Sequence, residues 1–242
     1  MPIPSLNYTL HGFWGSRPET LEVTAARIAE SIEFVSLLVD TGVWVNDEGA
    51  AVDTGELDQF VADLRLGVSR DDAQVERPGS GYTVHYRAGD WSQPIRTATE
   101  LGKITVRTGA TVPSSRSLAA GVIVTFDGES IASSARDHAE DLVLGIARIW
   151  QPEYAAFTDD ALLELKPALM RFPSWAYVSW LSDRVSRGLD RLDGANSRRV
   201  GAGTLVATAT WDPAQAAPVW DEMLASERIS AASPVQQAQS HS

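Results

Sequence analysis

The chain has 242 residues, 44% of them apolar, enough for a substantial hydrophobic core and against disorder over most of the length. Thirty-two acidic residues against 20 basic give a formal net charge of −12, which repels nucleic-acid phosphates and anionic membranes at long range, so neither is expected as a partner. Cysteine is absent, which excludes disulfides, thiolate metal sites and Cys nucleophiles and fits a reducing cytoplasm.

In chain order, Leu6 to Trp14 mixes Tyr, Thr, Phe and Trp and predicts a half-buried strand that stops at Gly15-Ser16-Arg17-Pro18. From Glu19 to Asp40 the residues Leu21, Ala25, Ile28, Ile32, Val35 and Val39 step by four and three, which predicts a helix with Pro18 in its first turn and Thr41-Gly42 at its end. Val43-Trp44-Val45 reads as a short strand or an apolar plug before an acidic turn at Asp47-Glu48-Gly49. Thr54 and Glu56 lead into a shorter helix carrying Leu57, Phe60, Val61 and Leu64, capped by Gly67, and a polar connector follows from Ser69 to Gly81. Tyr82 to Arg87, Lys103 to Thr108 and Val122 to Phe126 are alternating or β-branched runs that predict an antiparallel sheet region.

A helix is expected from Ser133 to Trp150 on the stripe Ala135, Ala139, Leu142, Val143, Ile146 and Ile149. Then come a strand at Tyr154 to Phe157, a helix from Asp159 to Met170 with Asp159 or Asp160 at its cap, and strands at Trp175 to Leu181 and Thr204 to Thr210 separated by a basic loop. Pro213 opens a last short helix, and positions 227–242, rich in Ser, Ala and Gln, read as a frayed tail. These elements make one α+β domain over residues 1–226, a mixed or antiparallel β-sheet packed with several helices. Met1 to Ser5 lacks the basic and apolar runs of a signal peptide, and no run of about 18 apolar residues occurs, so a soluble cytoplasmic protein is expected.

Catalytic motifs are sparse. Neither a G-x-S-x-G elbow nor a phosphate loop ahead of a helix is present, and no cofactor is expected. The best metal candidate is Asp137, His138 and Asp141 on one helix, which would suit a metal-assisted hydrolase, although adjacent ligands without a distant partner rarely close a coordination sphere, so no metal site is assigned. The acidic segment stands out more. Between Asp40 and Glu76 there are ten acidic residues and only Arg65 and Arg70 as bases, a net of −8 out of −12. Asp47, Glu48, Asp53, Glu56, Asp58, Asp63, Asp71 and Asp72 are its central members, and together they predict a negative surface for a basic partner. Trp91, in the polar context Gly89-Asp90-Trp91-Ser92-Gln93, is the candidate exposed aromatic anchor.

The N-terminal run Gly12-Phe13-Trp14-Gly15-Ser16-Arg17-Pro18-Glu19, with Ala25, Arg27 and Trp44 after it, resembles the immunity protein 52 family. Pro173-Ser174-Trp175-Ala176-Tyr177-Val178-Ser179-Trp180-Leu181, the strand from Gly203 to Thr208 and Trp211-Asp212-Pro213 extend the resemblance over most of the chain. It implies a cytoplasmic, non-catalytic immunity protein of bacterial polymorphic toxin systems, whose partner is a cognate toxin effector domain, often nuclease-like. Physically, Phe13, Trp14, Arg17, Glu19 and Trp44 read as a structural set in which the charges anchor the first helix to the sheet. The acidic segment is then where an inhibitor surface is expected, blocking the toxin's active site or an adjacent exosite.

Overall fold

β1 (Tyr8–Trp14) runs through the middle of a nine-stranded sheet and pairs antiparallel with two strands that follow it much later in the chain. The structure, a computed structural model, describes residues 7–15, 17–71, 73–91, 99–110, 120–165, 175–186, 189 and 192–225. The other strands are β2 (Val43–Val45), β3 (Tyr82–Asp90), β4 (Thr99–Thr108), β5 (Ala120–Phe126), β6 (Tyr154–Asp159), β7 (Val178–Ser182), β8 (Ala195–Val200) and β9 (Gly203–Thr208). Their spatial order is β2-β3-β4-β5-β1-β6-β7-β9-β8, and every pairing is antiparallel. The expected α+β domain is therefore observed, with the antiparallel alternative selected.

Helix α1 (Leu21–Leu38) buries Ala25, Ile28, Ile32 and Val35 along the predicted face. Its cap is Thr20, whose side chain accepts from the Val23 amide, so Pro18 lies before the helix rather than in its first turn. α2 (Leu57–Leu66) packs on α1 and β3 through Phe60, Val61 and Leu64. The single helix expected from Ser133 to Trp150 is two, α3 (Glu129–Asp137) and α4 (Ala139–Trp150), broken at His138. The break lets the chain change direction: α3 lies over β1 and β5, whereas α4 crosses β1, β6 and β7, and tertiary packing overrides an unbroken helical pattern. α5 (Asp160–Glu164) is capped by the Asp159 carboxylate on the Leu162 amide, and α6 (Pro213–Ala225) begins at the predicted proline. The basic loop expected after Leu181 contains β8, an edge strand. Residues 166–174 and the tail, 226–242, lie outside the described residues.

Strand alternation gives the sheet two faces. On one, Tyr8, Leu10, Trp14, Val84, Tyr86, Ile104, Val122, Val124, Phe126 and Phe157 are buried beneath helices. Gly12 leaves the space into which Ile146 of α4 packs, since a Cβ there would meet the Ile146 side chain at 2.8 Å. On the other face, Trp220 of α6 sits edge-on to Tyr154, and its indole donates to the Ala176 carbonyl. A continuous buried cluster joins these layers from Phe60 to Trp220.

Candidate functional site

The acidic turn after β2 is built around Asn46, which is 5% exposed. Its side-chain carbonyl accepts from the amides of Glu48 (3.1 Å) and Ala50 (2.9 Å), and its side-chain NH2 donates to Asp63 of α2 (3.0 Å). The Asn46 and Val52 amides donate to Ala50 and Trp44 carbonyls, which folds residues 50–52 back along the outer edge of β2 and blunts it. Gln59 donates to the Ala51 carbonyl and Thr54 to the Glu33 carboxylate of α1. Asp47 and Glu48 thus stand on a fixed turn, with Asp53, Glu56 and Asp58 on the entry to α2.

The structure sorts the predicted acidic residues into three kinds. Asp47, Glu48, Asp53, Glu56 and Asp58 are exposed, and among the described residues none of them forms a salt bridge. Asp63 is half-buried and faces the Tyr86 hydroxyl. Burial raises its pKa, the hydrogen bond from Asn46 and the nearby Tyr86 hydroxyl pull it back, and the charges of Glu48 and Asp47 add to the rise. Asp71 accepts from the Ala73 and Val75 amides and from Arg77, which hold its carboxyl below the ordinary value, while Glu76 pairs with Arg70. These last groups serve their own loop and offer little free charge. Asp72 lies outside the described residues.

Trp91 is half-buried; its indole donates to the Val43 carbonyl (2.8 Å), and the Arg87 guanidinium lies 5.6 Å from its ring centre. It ties β2 to β3 more than it projects outward. The apolar exposure that sequence reading missed is aliphatic: Val43 (56%) and Leu57 (43%) are carried by β2 and the first position of α2, the elements that bear the free carboxylates.

The motif residues form a clamp at the far end of β1. Trp14 stacks on Trp150 of α4, with ring centres 5.0 Å apart and planes within 13°. The Arg17 guanidinium lies 4.8 Å from the Trp14 ring centre and donates to the last carbonyls of α4, Trp150 (2.6 Å) and Gln151 (3.2 Å). It also meets Glu19 at 2.8 Å, and Glu19 pairs with Arg27 of α1. Helix-terminal carbonyls left without intrahelical donors are natural partners for a cation. Phe13 is buried on the opposite face, and Trp44 donates to Ser36 of α1 (2.8 Å). Asp137, His138 and Asp141 sit at the α3–α4 break, where only His138 and Asp141 approach, at 4.0 Å, and Asp137 pairs with Arg136. Among the described residues no group of three His, Asp or Glu side chains is arranged to hold a metal ion.

A groove of about 1050 Å³ runs beside the clamp, lined by Phe34, Leu144, Pro152, Trp180 and Val200 with Glu153 in its wall. Burial raises the Glu153 pKa, and Arg184, 3.9 Å away and largely exposed, only partly opposes this.

No family model matches the chain, and no curated protein matches it. Among solved structures, the chain is similar to the Pseudomonas aeruginosa T6SS protein PA0821, at 13% identity and a TM-score of 0.48, over 92% of this chain and 76% of that one. Among the described residues, no helix is long and apolar enough to cross a membrane.

Proposed function

We propose that this chain is a non-catalytic binding protein that docks on a basic partner through the acidic surface formed by the β2 turn and the start of α2. Following the resemblance of its N-terminal motif, the partner is a cognate toxin domain, nuclease-like, that the chain neutralises in the cytoplasm by covering its active site or an adjacent exosite. The observation that carries the reading is the set of five exposed carboxylates, Asp47, Glu48, Asp53, Glu56 and Asp58, without salt bridges among the described residues. Domains that grip phosphates present clustered cations, and a preformed acidic surface meets those cations where the phosphates would lie. The Asn46 hydrogen bonds hold the turn before any partner arrives, so little ordering entropy is lost on docking. The clamp around Arg17 serves the fold and not the contact.

Co-expression with a candidate toxin domain, in a host that this domain alone kills, tests the reading directly. Rescue and a stoichiometric complex are expected. The quadruple change Asp47→Asn, Glu48→Gln, Asp53→Asn and Glu56→Gln should slow association by about tenfold or more at low salt and flatten the salt dependence of binding. Unaltered affinity across the salt range would sink the assignment of this surface.

A further inference from the structure

The half of the sheet formed by β3, β4 and β5 carries a second charged surface, of opposite sign, on the face turned away from α1 and α2. There Thr83, His85 and Arg87 of β3 stand directly opposite Arg107, Thr105 and Lys103 of β4, with Ile123 and Thr125 next in line on β5. All eight side chains are half-buried or exposed, in contrast to Val84, Tyr86, Ile104, Val106, Val122 and Val124 on the other face.

Two features of this face are costly for a merely structural surface. Arg87 and Lys103 are in direct cross-strand register, and like charges directly opposite destabilise an antiparallel pair. Among the described residues, Arg87, Lys103 and Arg107 form no salt bridge, although acidic groups outnumber basic ones and Arg17, Arg27, Arg70, Arg77, Arg148, Arg198 and Arg199 all pair with carboxylates. The Nε of Arg87 is buried without a hydrogen-bond partner. The charges act together: after burial, Lys103 and Arg107 hold down the pKa of His85, which hydrogen-bonds Thr105, and Asp47 opposes them.

We propose that this sheet face binds an acidic segment of a partner protein, whose carboxylates lie over Arg87, Lys103 and Arg107. An open sheet face suits an extended segment better than a small ligand, which needs a concave site. Nucleic acid fits less well. Single strands are held by aromatic platforms, and His85 is the one aromatic side chain among these eight residues; Asp47 borders the face and the chain carries −12 overall. The inference stands apart from the toxin reading, because it concerns another surface and the opposite charge.

The test uses the full chain, fluorescent decaglutamate as probe, and a short oligothymidylate as the competing class of polyanion. Decaglutamate should bind the wild type at low salt and weaken as salt rises. Binding to Lys103→Glu and to Arg87→Gln/Arg107→Gln should be weaker by about tenfold or more. Lys103→Glu should melt at or above the wild-type temperature, since it removes the opposed cations and places a carboxylate opposite Arg87, whereas Arg87→Gln/Arg107→Gln also gives up the contact of Arg87 with Trp91. No binding by the wild type, or equal binding by all three proteins, would overturn the proposal. Tighter binding of the oligothymidylate than of decaglutamate would overturn it in favour of nucleic acid. A Lys103→Glu protein that melts lower than the wild type would also overturn it, since the opposed cations would then cost the sheet nothing.

Discussion

Replacing Arg17 by alanine should destabilise the fold strongly for a partly exposed side chain, because one guanidinium closes three contacts at the end of β1. It caps α4 through the Trp150 and Gln151 carbonyls, neutralises Glu19, whose side chain is 7% exposed, and covers the Trp14 ring. Charge-assisted hydrogen bonds of this kind contribute about 1.5–3 kcal/mol and an exposed cation–π contact about 0.5–1, so the total loss is about 3 kcal/mol. For a chain of this size each kcal/mol moves Tm by roughly 2–4 °C, which predicts a drop of about 6–12 °C in a thermal melt followed by circular dichroism. Arg17→Lys keeps the charge but not the planar fork and should recover only part of the loss. In a double-mutant cycle, Glu19→Gln should be strongly coupled to Arg17→Ala, since the two groups share one ion pair. A melt of Arg17→Ala within about 1 °C of the wild type would refute the clamp. If that same protein also failed to bind its partner, the N-terminal motif would be a contact surface.

Gly145→Ala should destabilise by about 1–3 kcal/mol, because the added Cβ would overlap the Phe34 ring where α4 meets α1, and Phe34→Leu in the same chain should recover most of the loss by urea unfolding. Glu153→Gln should raise Tm at pH 7. The folded pKa of Glu153 lies above its unfolded value, so the ionised form costs stability at neutral pH, and that cost disappears as pH falls through the folded pKa toward the unfolded one. The glutamine variant should lack this part of the pH dependence, and a lower Tm at pH 7 would show that Arg184 outweighs burial. Asn46→Ala leaves the Glu48 and Ala50 amides and one Asp63 oxygen without their partner, and should cost about 1–3 kcal/mol in a urea titration while slowing partner association.

Much of the architecture was legible because packing and local pattern agree. The stepping of Ala25, Ile28, Ile32 and Val35 marks α1, and alternation marks β3, β4 and β5, each of which has one buried and one wetter face. β8 was missed for the converse reason. Ala195, Asn196, Ser197, Arg198, Arg199 and Val200 form an edge strand with no fully buried residue, so burial wrote no apolar–polar alternation into its sequence. The break at His138 was invisible because no glycine or proline makes it; the stripe continues into Ala139, Leu142 and Val143, and only the change of strands beneath it turns the chain.

The acidic surface shows how charge counts and charge availability part company. Composition located a run of ten carboxylates, but it could not say which of them the fold would use internally. Arg77, just beyond the run, returns to Asp71; Arg70 pairs with Glu76; and Asp63 turns inward to Asn46 and Tyr86. What is left for a partner is the β2 turn and the entry to α2, where the chain supplies Asp47, Glu48, Asp53, Glu56 and Asp58 with no arginine paired to them among the described residues. The opposite surface was hidden by the same logic. Arg87, Lys103 and Arg107 are spread over residues 87–107, a stretch with four basic and two acidic residues, and become one patch only when β3 and β4 pair in the observed register. A one-residue slip in that register would move Lys103 out from opposite Arg87, so the patch is a property of the pairing and not of the composition.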